Sequence, residues 1–367
     1  MDVHRYNYAH QFGEGVECLM AELQRMLVDG RYVLTEDVRR FEREFAAYLG
    51  VGCVQGVNTG TDALTIALAA LGIGRGDRVI TQANTFNATV AAIRLSGATP
   101  DLVDADDRTY LIDEPQVAAA VGPDTRAVVP VHLYGKPTPL AALRALADRA
   151  GLAIVEDAAQ AHGARIDGRR VGSLGTAGCF SFHPSKNLAA AGDAGAIATG
   201  DRALAGRIAE RRNLGQRAQN EHVVAGANSK LDALQARILS WKLPRLDAWN
   251  AQRRRVARLY HDGLAGLPLS FQAWAPHEAH VFHLFTVRTD RRDALLAHLR
   301  AAGVDAVVRY PTPIHLQPAF ADLGWRRGQF PVAERLAHEL LCLPIRPDLA
   351  LPEIEFVVDT VRAFFGA

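Results

Sequence analysis

Lysine is scarce in this chain. Only Lys136, Lys186, Lys230 and Lys242 break an otherwise arginine-based set of 41 basic residues. Arginine stays charged at any ordinary pH, so each lysine is a candidate for amine chemistry. Cysteine is equally sparse: Cys18, Cys53, Cys179 and Cys342 are scattered too widely for a zinc site or a disulfide scaffold, and reduced thiols are expected. No apolar run reaches the ~18 residues that cross a bilayer. The N-terminal Met-Asp-Val-His-Arg-Tyr-Asn-Tyr lacks the apolar core of a secretion signal. Neither charge is in excess, with 41 basic against 40 acidic residues, so composition steers the chain to neither nucleic acid nor an anionic membrane. These absences lead us to expect a soluble, cytoplasmic protein without a metal site. Its 367 residues are enough for two domains, or one large domain with an appendage.

What is present is a repeated alternation of short apolar runs with amphipathic stretches. Residues 14–28 and 36–48 have helical periodicity, the second with Thr35 as N-cap and Glu36 and Asp37 in its first turn. Strands follow at Val51–Val57, Asp77–Thr81, Thr99–Val103, Ala127–His132 and Leu152–Val155, with helices between them. This predicts a mainly parallel α/β sheet with helices on both faces and a ligand at the carboxyl ends of its strands. Beyond Lys186, helices are expected over Asp201–Asn213 and onward from Ala227. Arg253-Arg254-Arg255 reads as a solvated helix face. Composition shifts near residue 250, which divides the chain into an N-terminal arm with a large domain (1–250) and a small C-terminal α/β domain (251–367). That second part is expected to hold a strand over His283–Val287 and helices over Arg291–Ala302 and Val332–Leu341.

Several carboxyl-end segments carry candidate chemistry, and each admits two readings. Lys186 lies between the buried-strand patterns Gly178–Phe182 and Gly195–Thr199, among small residues with no acidic neighbour. It is either a loop lysine with its head in water or a desolvated amine of lowered pKa, as a Schiff-base lysine requires. The run Asn58-Thr59-Gly60-Thr61-Asp62 joins a strand to a helix; it is a plain N-cap or a phosphate cradle. Phe86 plugs the core or lies against a planar cofactor. Asp157 caps a following helix or meets a protonated ring nitrogen, since a carboxylate leaving a buried strand needs a positive partner. The proline-rich loop Arg309–Pro318 is a linker or closes over a site.

Four segments occur here in one order: Asn58-Thr59-Gly60-Thr61-Asp62-Ala63-Leu64, Glu156-Asp157-Ala158-Ala159-Gln160-Ala161-His162-Gly163-Ala164, Ser181-Phe182-His183-Pro184-Ser185-Lys186 and Asn228-Ser229-Lys230-Leu231-Asp232-Ala233-Leu234-Gln235-Ala236. Together they resemble the DegT/DnrJ/EryC1/StrS family of pyridoxal-phosphate-dependent sugar aminotransferases, over nearly the whole chain. The resemblance implies the aspartate aminotransferase-like fold (PLP fold type I), with a mainly parallel seven-stranded sheet. It also implies a homodimer with active sites at the subunit interface. Lys186 would bind the cofactor covalently, Asp157 would pair with its pyridine nitrogen, Gln160 would sit near its phenolic oxygen and Phe86 would stack on its ring. Gly60, Thr61, Asp62 and Ser181 would hold the phosphate, joined by Asn228 from the other subunit. His183, Arg309, Tyr310 and His315 are candidate substrate contacts. The implied reaction moves an amino group from glutamate or glutamine to a nucleotide-linked 3- or 4-keto-6-deoxyhexose. Members that have histidine in place of the lysine act as dehydratases, and Lys186 argues against that branch. A cyclitol (inosose) ketone as acceptor, and a cofactor-binding regulator without turnover, are the alternatives. Arg309 departs from the family, which often has His or a small residue there; it binds a carboxylate or diphosphate, or faces water.

Overall fold

The computed structural model describes residues 1–274 and 279–366. Two helices come first, α1 (Val16–Val28) and α2 (Glu36–Leu49). In α2, Val38, Phe41, Phe45 and Leu49 bury one stripe at helical spacing, and Gly50 ends it with φ 76°. Thr35 holds the N-cap position, but its hydroxyl bonds the Asp37 carboxylate at 3.3 Å and makes no capping bond. Strands and helices then alternate as β1 (Cys53–Val57), α3 (Gly60–Ala70), β2 (Arg78–Gln82), α4 (Asn87–Leu95), β3 (Thr99–Val103), α5 (Glu114–Ala120), β4 (Thr125–Val129), α6 (Ala141–Ala150) and β5 (Ala153–Asp157). A hairpin of β6 (Arg165–Ile166) and β7 (Arg169–Arg170) leads to β8 (Ala177–Ser181), β9 (Gly195–Thr199) and α7 (Arg202–Arg212). A second hairpin, β10 (Gln216–Ala218) and β11 (Glu221–His222), precedes α8 (Ala233–Lys242) and α9 (Leu246–Gly263). The remainder comprises β12 (Ser270–Phe271), β13 (Phe285–Arg288), α10 (Arg292–Ala301), α11 (Pro331–Glu339), β14 (Leu340–Leu343) and α12 (Leu351–Phe365).

Seven strands form one sheet in the order β1-β9-β8-β5-β4-β2-β3. All neighbours pair in parallel except those of β9, which runs antiparallel to both β1 and β8. The carboxyl ends of β1, β2, β5 and β8 therefore point the same way. They deliver Gly60, Phe86, Asp157 and Ser181 to one rim. Phe41 and Phe45 of α2 meet Phe180 and Phe182 edge-on at ring separations of 5.0–5.4 Å, fixing the end of β8 that leads to Lys186. Each such ring contributes about 1.5–3 kcal/mol by burial.

A second core gathers Tyr260, Phe285, Val287, Leu295, Leu299, Leu341, Leu343 and Val357 around the antiparallel β12-β13-β14 sheet. Helix α9 passes unbroken through residue 250, with Leu246 in the first core and Val256 and Tyr260 in the second. Val3, at the start of the N-terminal arm, also packs in the second core.

Several local expectations are corrected. Residues 227–232 are extended, because the N–H groups of Ala227 and Ser229 pair with the last carbonyls of α7, and α8 starts only at Ala233. Arg253 is buried, donating to the carbonyl oxygens of Phe282 (3.2 Å) and Ile345 (3.0 Å), while Arg255 faces solvent. The expected strand Ala127–His132 ends at Val129, and α11 gives way at Leu340 to β14, which pairs with β13. Helix α12 and the short α5 were not read from the sequence pattern.

Candidate active site

A cavity of about 370 Å³ opens at the carboxyl rim. It is lined by Gly60, Thr61, Phe86, Asp157, Gln160, Ser181, His183, Lys186, Arg309 and Tyr310, together with Thr85, Asp193 and His283. Most of the residues singled out in the sequence thus converge on one chamber.

The floor is built by the turn from β1 into α3. Thr59 caps the helix, its Oγ1 accepting from the Asp62 N–H at 3.0 Å. The N–H groups of Gly60 and Thr61 are left without an intrahelical acceptor, at the positive end of the helix dipole. The segment is a cap, and it also presents the free N–H groups that an anion cradle requires. Only glycine fits at two points here. A Cβ on Gly60 would lie 2.6 Å from the Ser181 Cβ, and one on Gly195 would lie 2.3 Å from the Thr59 carbonyl oxygen. Asp62 does not line the chamber; its carboxylate accepts from the Ser229 hydroxyl at 2.7 Å.

Asp157 ends β5, buried, and no helix follows it before α7, so the helix-cap reading falls. Its Oδ2 accepts from Thr89 Oγ1 at 2.8 Å and its Oδ1 from the Ala159 N–H at 3.1 Å. Burial outweighs these bonds and the attraction of Lys186, and pushes the carboxyl pKa up. A cation in the chamber would restore the balance.

The Lys186 amine makes no hydrogen bond or ion pair among the described residues. Burial, reinforced by the nearby Arg309 charge and opposed by Asp157, lowers its amine from the ordinary 10.5 to about 8. Its loop is held on both flanks. The Lys186 N–H donates to the His183 carbonyl at 2.8 Å, and Asn187 Nδ2 donates to Asn250 Oδ1 at 2.9 Å and to the Val281 carbonyl at 3.0 Å. Lys242, another amine that burial brings to about 8, donates to the Ala189 carbonyl at 2.9 Å and to Gln11 at 2.9 Å.

One wall is aromatic. Phe86 is half exposed toward the cavity, which excludes the core-plug reading. Its ring centre is 5.8 Å from that of Tyr310, which stacks on Tyr134 at 6.2 Å. Tyr134 (φ 62°) and Tyr310 (φ 57°) both hold left-handed backbone conformations, a strain that clusters at functional sites. Gln160 joins them: its Oε1 accepts the Tyr134 N–H at 2.7 Å and its Nε2 donates to the Tyr310 hydroxyl at 2.8 Å. The loop from Arg309 is therefore a wall of the chamber. His183 is exposed at the mouth, its Nδ1 2.9 Å from Ser185 Oγ.

Besides Asp62, two candidates lie outside the lining. His315 is buried against Phe330 and paired with Glu334 at 2.9 Å, away from the lining. Asn228 is exposed outside the cavity, accepting from Lys230. Sequence reasoning missed Thr89, Tyr134, His283 and Tyr6. Only Thr89 left a trace, as a hydroxyl on the apolar face of α4.

The chamber combines a phosphate-sized nest of free N–H groups, an exposed flat ring, a buried under-satisfied carboxylate and an unpaired amine. That set fits a phosphorylated aromatic aldehyde with a basic ring nitrogen. Comparison with known proteins agrees. Residues 15–362 match the DegT/DnrJ/EryC1/StrS aminotransferase family model, and the chain belongs to that family. It is 48% identical over 343 residues to dTDP-3-amino-3,4,6-trideoxy-alpha-D-glucose transaminase of Streptomyces venezuelae, covering 93% of this chain and 90% of that protein. Its fold matches S. venezuelae DesV, crystallised in complex with a ketimine intermediate, with a TM-score of 0.97 at 46% identity over 100% and 99% of the two chains. NtdA from Bacillus subtilis with bound cofactor PMP matches with a TM-score of 0.93 at 31% identity, over 100% and 86%. The fold is that of the pyridoxal-phosphate aminotransferases, the cofactor is pyridoxal 5′-phosphate and the activity is sugar amino transfer. Among the described residues, no helix is long and apolar enough to cross a membrane.

Proposed function

We propose that this chain aminates C3 of a nucleotide-linked keto-deoxyhexose, with glutamate or glutamine as donor. The observation that carries it is the 48% identity to a transaminase named for a dTDP-linked 3-amino-trideoxyglucose, in a chain that also keeps an unpaired Lys186 opposite Asp157. Pyridoxal phosphate, when bound, supplies an electron sink and carries the amino group between the two substrates.

In this reading the chain's own residues do the rest. The N–H groups of Gly60 and Thr61 and the Ser181 hydroxyl hold the phosphate. Thr89 and the Ala159 N–H fix the direction of the Asp157 carboxylate, which would pair with the cofactor's ring nitrogen and favour its protonated form. Phe86 and Tyr310 would shield the cofactor ring from water, and Gln160 would sit near its phenolic oxygen. Lys186, whose amine burial lowers to about 8 in the cofactor-free chain, would hold the cofactor at rest and, once free, would serve as the general acid and base at the donor's reacting carbon. His183, at the mouth, meets the sugar. A homodimer brings the partner's exposed Asn228 to the phosphate, and residues 251–367 form the smaller domain that closes the chamber.

The test is an absorption spectrum of the purified holoenzyme with glutamate, glutamine or other donors, followed by the nucleotide-linked 3-keto and 4-keto sugars. Conversion of the yellow cofactor band by one donor, and its return with the 3-keto sugar, is expected. Return with a cyclitol ketone alone would replace the sugar reading. A band that no donor changes would leave a cofactor-binding regulator.

A further inference from the structure

We propose that Arg309 receives the α-carboxylate of the amino donor, and that Tyr6 of the N-terminal arm fixes its guanidinium for that contact. The assignment rests on the donor half of the reaction proposed above.

A guanidinium has five donors and a permanent charge, so inside a fold it is normally paired with carboxylates. Several arginines of low exposure follow this rule: Arg212 pairs with Glu42, Arg288 with Asp107 and Glu339, and Arg346 with Asp348 and Glu353, while Arg245 and Arg362 give their charge to carbonyl oxygens instead. Arg253 lacks a carboxylate but donates to two carbonyl oxygens. Arg309 differs. Among the described residues its side chain has one partner, the neutral Tyr6 hydroxyl, which accepts from Nη2 at 3.0 Å. The rest of its fork is free for a planar, two-oxygen anion.

The surroundings do not neutralise it. Gln160 and the Tyr310 hydroxyl, which share the chamber, are committed to each other. Asp157 is directed at Thr89 and the Ala159 N–H, and Asp193 is exposed at the rim. Lys186 adds a second cation to the same space when protonated.

Position selects the anion. The carboxylate of an amino acid is bonded to the very carbon whose amino group would take the place of the Lys186 amine, so it must fall on a wall beside that lysine. A sugar's diphosphate hangs from the anomeric carbon, several bonds from the ketone. A chamber of about 370 Å³ that must also admit the cofactor would leave the nucleotide outside. Arg309 lines this chamber with Lys186 and is close enough to depress its amine.

The arm is fastened to the small domain. Val3 bonds Gly303 and Asp305 through its backbone, Arg5 pairs with Asp305 at 3.0 Å, and Arg346 Nε donates to the His4 carbonyl at 3.0 Å. Tyr6 is thus a fixed strut, and Arg309 loses less freedom when an anion arrives.

Glutarate, a carboxylate that cannot react, and pyrophosphate are the calorimetric probes on the holoenzyme; glutamate is followed through the cofactor band. Arg309→Met is expected to weaken glutarate binding and glutamate conversion about 10- to 100-fold, the loss of a charge-assisted contact. Binding of the keto sugar to the aminated enzyme is expected to change less than about twofold. Arg309→Lys should recover part of the loss, because charge without the fork suffices for a weak contact. Tyr6→Phe should raise KM for the donor about 3- to 10-fold, with a much smaller change in kcat, as one ordinary hydrogen bond is removed. Unchanged glutarate binding in a folded Arg309→Met would overturn the proposal. Loss confined to pyrophosphate and the sugar half-reaction would also overturn it, moving Arg309 to the diphosphate. If no amino acid converts the wild type, the donor reading fails by itself, and glutarate binding still decides the role of Arg309.

Discussion

Glu156 and Asp157 are adjacent on β5, both buried, and their environments are opposite. Glu156 Oε1 accepts from the N–H groups of Leu174 (2.7 Å) and Gly175 (2.6 Å). Its Oε2 accepts from the Gly172 N–H (2.7 Å) and lies 3.0 Å from His132 Nε2. His132 Nδ1 accepts the Thr138 N–H, so Nε2 carries the proton and donates. Burial opposes the Glu156 charge, but these bonds overcome it and hold the carboxyl below its usual range. Asp157, with a hydroxyl and one N–H, is pushed the other way. Successive side chains of a strand face opposite sides of the sheet, so one carboxylate was built into the fold and the other left for a ligand. The unsatisfied member of a buried pair is the one to read as functional.

The sharpest break of this contrast is at Asp157's partner in the chamber. Lys186→Ala is expected to abolish transamination while circular dichroism and the unfolding midpoint stay near wild type; measurable turnover would remove Lys186 from its role. Asp157→Ala should follow, slowing the reaction about 10²- to 10³-fold, as when one preorganised electrostatic partner is removed. Its stability should not fall, since a strained charge is relieved. Glu156→Gln should do the reverse: urea unfolding loses about 1–3 kcal/mol, because the amide cannot accept all four bonds, with turnover per folded molecule little changed. Equal effects of the two substitutions on stability would dissolve the comparison.

A pH series sharpens it further. Burial depresses the Lys186 amine to about 8, so the neutral, nucleophilic form dominates above that pH. Capture of pyridoxal phosphate by the cofactor-free chain, read by absorbance, should rise with pH and level off just above 8, where an ordinary lysine would still be climbing. Lys242 titrates in the same window, and a Lys242→Met control should leave the midpoint in place. The smallest effect is expected at Thr89→Val. Losing one hydroxyl donor to Asp157 should weaken cofactor binding by about 1 kcal/mol, measured by dialysis against pyridoxal phosphate.

Much of the fold was legible because it is local. Alternating apolar runs and helical stripes placed most of the sheet, and the small-residue turns after β1, β5 and β8 marked its functional rim. Asp157 and Lys186 were legible as odd residues in apolar surroundings. Arg253 was misread because three arginines in a row look solvated, whereas the carbonyls that hold the first of them belong to Phe282 and Ile345. His315 looked like a site residue beside Tyr310, yet the 3₁₀ turn at Ile314–Leu316 turns it toward Glu334. Tyr6 was invisible for its role because Arg309 is 303 residues away.

The amino-acid sequence by itself determined the alternation of strand and helix, the placement of glycine where backbones touch, and which side chains can carry amine, carboxylate and anion chemistry. The tertiary structure alone decided which of those groups are satisfied. Periodicity and capping act within a few residues, whereas desolvation and pairing depend on whatever the fold brings within about 4 Å. That is why Glu156 and Asp157, neighbours in the chain, ended as a structural anchor and an open site.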